Sequence, residues 1–329
     1  MQQASVWRSK PNALRFDEIP LTTGLSFLDG IWAAIPTPFD WRGSVDMDGV
    51  ERNTRHFADT LALDGIFCNG LMGEGWSLTA NERQRIIETI LGTTSNRLRV
   101  GVVTSHHSLT ETIALSRHAA DTGADHIVLM RPHGVFDEAA VSRFVLNVAE
   151  AADIPIVLFD GRQPTGGFAP DTIAALSSRC RIVGVKCTRP RRYARSLRER
   201  LSGKVTVTDP EEARWLPNMA RSGLKTLYAD PEPYLFQSAD RMPIKEYTQA
   251  YVEGNVRRAR GISRSLEPLR HIYLEWIIGR LHKGLPPNAA LKLWCETLGM
   301  AGGPVRPPLT SLSTSEKTAF RTALTRALA

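Results

Sequence analysis

The chain has 329 residues, 42% hydrophobic and 23% charged, a composition that excludes a disordered or fibrous protein and fits a packed globular one. Its net charge of +7 raises the question of an anionic partner, but six of the arginines fall in one stretch, RPRRYARSLRER (189–200). That stretch has a single aromatic, Tyr193, and no glycine-rich loop, so it reads as a solvated helix face, and no nucleic-acid partner is expected.

After a polar extension over 1–29, short β-rich runs alternate with helical patterns. The runs are IWAAIPTPF (31–39), GIFCNG (65–70), LRVGVVT (98–104), HIVLMRP (126–132), IPIVLFD (154–160), RIVGVKC (181–187), KVTVTD (204–209) and LKTLYAD (224–230). Most are continuously apolar instead of alternating, which is the pattern of parallel strands covered on both faces. Helix punctuation fills the gaps. Thr79 and Glu82 form a capping box at the start of one helix; Ser108 and Glu111 repeat it before a stop at Gly123; Asp137 caps the next. Eight strand–helix repeats of about 25–30 residues predict an α/β fold, a closed (β/α)8 TIM barrel, over 30–238. The helical patterns YTQAYVEGNVRRARGI, AALKLWCETLGM and TSEKTAFRTALTRAL then predict a C-terminal helical subdomain over 239–329. An open doubly wound sheet is the alternative, but no G-x-G-x-x-G follows the first strand.

The N-terminal segment lacks an apolar signal core, and no run approaches the roughly 18–20 apolar residues of a membrane span. Cys68, Cys180, Cys187 and Cys295 show no C-x-x-C spacing and no clustered histidines. Free thiols, a cytoplasmic location, no membrane partner and no metal site are therefore expected.

Barrel enzymes carry their chemistry at the carboxyl ends of the strands. Among those ends Lys186 is the lysine that stands inside an apolar strand. Desolvation disfavours an ammonium, and a neutral amine attacks a ketone to give a Schiff base, an electron sink for breaking or making the neighbouring bond. By periodicity alone the same residue also fits a lysine that reaches the barrel rim beside a carboxylate.

Together, GLMGEGWSLTANER (70–83), VLFDGRQPTG (157–166), VGVKC (183–187), PNAALKLWCETLGM (287–300) and VRPPL (305–309) resemble the dihydrodipicolinate synthase / N-acetylneuraminate lyase family, in matching order from about Gly30 to the C-terminus. The resemblance implies a TIM barrel with a C-terminal helical subdomain, a homo-oligomer (dimer or tetramer), no cofactor, and pyruvate or another 2-oxo acid held as an imine on the lysine matching Lys186.

This chain departs from the family pattern at the hydroxyls. The usual Gly-Thr-Thr-Gly-Glu is Gly70-Leu71-Met72-Gly73-Glu74, which leaves the backbone amides of that loop to bind a carboxylate. The tyrosine expected at the end of the fifth strand is Phe159, and the Pro-Tyr-Tyr after the fourth is Pro132-His133-Gly134. The proton relay then falls to Tyr228, His133 or Asp160. Tyr228 ranks first, because a barrel-facing phenol would reach the imine from the opposite wall. Asp160 also reads as a helix cap or a partner for Arg162. Glu74 is expected to hold its own turn by accepting backbone N–H bonds, and His106 and His107 read as loop residues. Leu71, Met72, Phe159 and Trp76 predict a pocket for an aldehyde or enone with an apolar body, as in hydratase-aldolases, and Arg131 and Arg162 offer a second carboxylate site. The expected activity is that of a cofactor-independent class I lyase acting on a small 2-oxo acid and an aldehyde. The alternatives are a dehydratase of a hydroxylated 2-oxo acid and a catalytically silent 2-oxo-acid-binding protein.

Overall fold

The computed structural model describes residues 27–95, 97–135, 137–161 and 166–328. Each of the eight predicted runs contains a strand: β1 (Gly30–Ala34), β2 (Gly65–Cys68), β3 (Arg99–Val103), β4 (His126–Met130), β5 (Ile156–Asp160), β6 (Ile182–Cys187), β7 (Thr206–Thr208) and β8 (Thr226–Ala229). All are parallel, in the order β7-β6-β5-β4-β3-β2-β1-β8, so the sheet curls until β7 and β8 face each other in a nearly closed barrel. A doubly wound sheet would not keep that sequential order.

Seven helices follow β1 to β7 in turn: α1 (Met47–Arg55), α2 (Ala80–Thr94), α3 (Leu109–Thr122), α4 (Glu138–Ala152), α5 (Pro170–Ser177), α6 (Arg191–Leu201) and α7 (Trp215–Ser222). The predicted caps are in use, except that the box expected at Ser108 and Glu111 is only half formed: the Ser108 amide donates to His106 Nδ1 at 3.1 Å and not to Glu111. Thr79 accepts from the Glu82 amide while Glu82 accepts from the Thr79 amide. Ser108 and Asp137 cap α3 and α4, and Gly123 ends α3 in the left-handed conformation. The arginine-rich α6 buries only Ala194, Leu197 and Leu201; Arg198 donates to the Val207 carbonyl at 3.0 Å, Arg195 and Arg200 pair with Glu199 and Asp171, and Arg191 and Arg192 are exposed. Beyond β8 come α8 (Glu232–Leu235), α9 (Pro243–Val252), α10 (Val256–Arg264), α11 (Glu267–Tyr273), α12 (Gly279–His282), α13 (Asn288–Thr297) and α14 (Thr314–Leu328). None of the described helices is long and apolar enough to cross a membrane.

The barrel is filled by side chains and floored by the residues that precede β1. The Trp32 indole donates to the Leu28 carbonyl at 2.8 Å, and Arg99 holds the Phe27 carbonyl at 2.7 Å. Leu28 fits because position 184 is glycine: a Cβ there would lie 2.5 Å from Leu28 Cδ1. Above the floor, Tyr228 stacks on Trp32 (5.4 Å between ring centres) and on Phe67 (4.5 Å). Its hydroxyl meets His126 Nε2 at 2.7 Å. Burial pushes the His126 pKa down to about 3, so this cross-barrel contact joins two neutral groups.

The fit around Trp32 leaves no room at residue 65, where a Cβ would fall 2.2 Å from the indole. Gly65→Ala should therefore cost about 1–3 kcal/mol by overpacking, measured by chemical denaturation. Unchanged stability would mean that Trp32 is not a rigid filler.

Candidate active site

Lys186 stands in β6 opposite Phe159 of β5 and Thr208 of β7. Its side chain is 3% exposed, with Nζ 4.5 Å from the centre of the Phe67 ring and 5.3 Å from that of Phe159. The aromatic faces suit a cation, but the strongest contact is polar: Nζ donates to Asp230 Oδ1 at 2.5 Å. The carboxylate partner that periodicity left open is thus present, although the lysine is not at the rim. The lysine is buried, and it is also ion-paired.

Asp230 owes its position to the strand period of two. Tyr228 faces the barrel interior, so the residue two further on faces inward as well, one layer nearer the carboxyl mouth. The Ala34 amide donates to the Asp230 carbonyl at 3.3 Å and carries the ladder that far. On β6 the same step leads from Gly184, against the floor, to Lys186. The two inward layers thus hold Tyr228 below and the Lys186–Asp230 pair above, and Phe67 touches both.

That layering reassigns the proposed proton carriers. Tyr228 points inward as expected, but it is fully buried, and its hydroxyl is bound to His126 at the amino end of β4. No contact joins it to Lys186 among the described residues; it is a core group. Asp160 faces away from the barrel interior. Its Oδ1 accepts from the Phe168 amide at 2.9 Å and pairs with Arg189 Nε at 3.2 Å. Burial raises its pKa while Arg189 opposes the rise. Asp160 therefore ties the segment after β5 to the one after β6, with Arg189 in the role expected of Arg162, which lies outside the described residues. His133 is exposed at the rim, edge to face with His107 at 5.5 Å, and makes no contact with Lys186. No group of side chains suited to a metal occurs among the described residues. Arg131 is committed to Glu138 and to the Gly167 carbonyl at 2.9 Å, which argues against its holding a second carboxylate.

The loop after β2 is built for close approach. Glu74 adopts φ +51°, and a Cβ at Gly75 would lie 1.9 Å from the Asn69 carbonyl oxygen, so position 75 requires glycine. Of the apolar residues expected to line the pocket, Met72 is buried and Phe159 half-buried beside the lysine. Leu71 is 39% and Trp76 50% exposed, so both turn largely to solvent. The amides of Leu71, Met72 and Gly73 make no hydrogen bond among the described residues, and Gly73 packs against the end of β1 beside Thr37.

The C-terminal motifs hold this loop. Asn288 Nδ2 donates to the Leu71 and Met72 carbonyls at 2.9 and 3.1 Å. Glu74 does not cap its own turn as expected: its carboxylate pairs with Lys292 at 2.7 Å and accepts from the Arg306 amide at 3.1 Å. Burial lowers the Lys292 pKa to about 8 against the pull of Glu74, and its Nζ lies 3.8 Å from the centre of the Phe39 ring. The Arg306 side chain reaches the Gly43 and Ser77 carbonyls at 2.8 and 3.0 Å and binds Glu82 through both terminal nitrogens. Thus PNAALK and VRPPL, remote in sequence, form one clamp on GLMGEG.

The family model of the dihydrodipicolinate synthetase family matches residues 27–327, and the chain belongs to that family of lyases. A 4-hydroxy-tetrahydrodipicolinate synthase of Methanothrix thermoacetophila is 30% identical over 304 residues, covering 90% of this chain and 96% of that protein. One from Methanoculleus marisnigri is 29% identical over 306 residues, with 90% and 98% covered. Among solved structures, the dihydrodipicolinate synthase of Aquifex aeolicus has a TM-score of 0.75 at 26% identity, covering 91% of this chain and 97% of that one. A sialic acid aldolase of Ruminococcus gnavus shares the fold, with a TM-score of 0.78 at 16% identity over 92% and 97%.

The clamp leaves a signature in acid. Hydrogen bonds from Arg306 lower the Glu82 pKa from its ordinary 4.5 to about 2. The stability it contributes is therefore complete above pH 4.5 and is lost as the pH falls towards 2. Glu82→Gln should lower stability at neutral pH by about 1.5–3 kcal/mol and flatten the acid limb within that window. Parallel acid limbs in denaturation curves of the two proteins would contradict the assignment.

Proposed function

We propose that this protein is a class I lyase in which Lys186 condenses with pyruvate or a related 2-oxo acid, and a C–C bond beside the resulting imine is broken or made. The observation that carries the reading is the Lys186–Asp230 contact inside the barrel, 2.5 Å long. An amine held there needs a group to remove its proton before it can attack a ketone, and Asp230 is in hydrogen-bond reach. Asp230 thereby takes the part that neither Phe159 nor Tyr228 can play. Its own carboxylate is 27% exposed, which keeps a route for water.

The substrate's carboxylate has a counterpart in the Leu71, Met72 and Gly73 amides, which the clamp of Asn288, Lys292 and Arg306 supports from behind. Met72, Phe67 and Phe159 surround the amine with apolar surface. A partner aldehyde with an apolar body fits that wall better than a polyhydroxylated one, whose buried hydroxyls would lack partners. These features support an aldolase or hydratase-aldolase type of reaction.

Borohydride reduction in the presence of pyruvate should leave a covalent adduct on Lys186, read by mass spectrometry of the digested protein, and Lys186→Arg should abolish it. Asp230→Asn should slow trapping by roughly 100-fold or more, whereas Tyr228→Phe should leave the trapping rate unchanged. Absence of an adduct with every 2-oxo acid tried would favour the silent binding protein instead.

A further inference from the structure

Behind the reactive lysine, three carboxyl groups, Asp230, Glu212 and Glu232, face two cations, Lys186 and Arg270. Glu212 is fully answered: Arg270 Nε and Nη2 each donate to it at 2.8 Å, and the Tyr247 hydroxyl donates at 2.7 Å. Asp230 is answered by Lys186. Glu232, two residues past Asp230 at the start of α8, is the one left over. It is 3% exposed, its Oε2 has no hydrogen-bond partner, and no lysine, arginine or histidine pairs with it among the described residues. A buried carboxyl without a counter-ion keeps its proton, because the charged form is the one that burial penalises. Burial and the neighbouring Asp230 carboxylate both push its pKa well above the usual range, and Lys186 opposes them.

We propose that Glu232 is a positioning residue for the imine chemistry: a buried carboxylic acid that acts through Asp230 and sets the pH range in which Lys186 condenses with a 2-oxo acid. The inference rests on the reading of Lys186 given above. While Glu232 holds its proton, the lysine faces the single charge of Asp230. The ammonium passes a proton to Asp230, and the free amine forms the N–C bond with the carbonyl carbon. One N–H proton moves to the new alkoxide to give the carbinolamine; its C–O bond then breaks as Asp230 returns the other proton to the departing hydroxyl, so water leaves and a protonated imine remains. The charges on Asp230 and Glu232 are the same before and after. If Glu232 ionises, a second negative charge faces the amine, which then gives up its proton only at higher pH.

The other titratable groups around Glu232 do not share this role. Tyr234 on α8, Tyr247 on α9 and Tyr273 on α11 are held protonated by burial, with Glu232 adding to the effect in each case. Glu211, which faces Asp230 from the segment after β7, is exposed and paired with Arg214.

The test is the rate of borohydride trapping with pyruvate as a function of pH, in wild type, Glu232→Gln and Glu232→Asp. As the pH rises above neutral, wild-type Glu232 loses its proton before the amine does, so the amine titrates against two charges; glutamine cannot supply the second, and the midpoint of its profile should move to lower pH by about one unit. Aspartate keeps a carboxyl and should keep the wild-type midpoint. A purely structural role would lower the rate at every pH and leave the midpoint where it was. Wild-type protein that traps pyruvate, with an unmoved midpoint in folded Glu232→Gln, overturns this inference and leaves the lyase reading standing. Wild-type protein that traps nothing at any pH overturns both. Should Glu232→Gln fail to fold, infrared spectroscopy of wild-type protein carrying 13C-labelled glutamate should show a protonated carboxyl at neutral pH; its absence overturns the inference.

Discussion

A lysine and an aspartate meet 2.5 Å apart inside a barrel otherwise packed with aromatic and aliphatic side chains. Removing two charges from water costs several kcal/mol per ion, and the attraction between them often does no more than offset that. Such a pair is a poor way to stabilise a barrel, since a hydrophobic pair of similar volume would serve as well. Its value is chemical. In the proposed reaction the carboxylate keeps the amine aimed at the mouth, accepts its proton when a carbonyl arrives, and returns it. Phe67 and Phe159 exclude water from the amine on either side, which strengthens the exchange between the two groups.

In the proposed reaction the rest of the molecule places the substrate against that pair. The turn after β2 adopts backbone conformations that cost energy in isolation, including the left-handed Glu74. Asn288, Lys292 and Arg306 from beyond the barrel hold it through its carbonyls and its one buried carboxylate. The helices after β8 are therefore part of the site. Together with the segment between α13 and α14 they hold the loop whose amides face the 2-oxo acid in the proposed reaction, and Arg306 in that segment simultaneously pins the start of α2. At the other end, the Tyr228–His126 contact and the Leu28 floor keep the lower barrel rigid.

Much of this was legible in the residues alone. Apolar runs and capping boxes were enough for the eight strands and the helices between them, because local pattern and tertiary role agree there. Lys186 declared itself as a cation where strand physics wants none. For Tyr228 the limit is geometric: a period of two gives the face a residue points to, but not its level along the barrel axis. Tyr228 was rightly taken as inward-facing, yet it lies one layer too deep, and Asp230 on the same face is the residue at the level of the amine. The same rule, carried one step further along LYAD, would have nominated it. The partners of Glu74, and the arginine that answers Asp160, are beyond the reach of local pattern for a different reason. Their partners are set by tertiary contact; the Arg306 amide that Glu74 accepts from lies 232 residues away in sequence.

A crystal structure of the protein grown with pyruvate tests the central claim most directly. The account predicts continuous density from Lys186 Nζ to the C2 carbon of pyruvate, with Asp230 beside the new nitrogen–carbon bond and the pyruvate carboxylate against the Leu71–Gly73 amides. An unmodified Lys186 still bonded to Asp230, with pyruvate bound elsewhere or not at all, would contradict it.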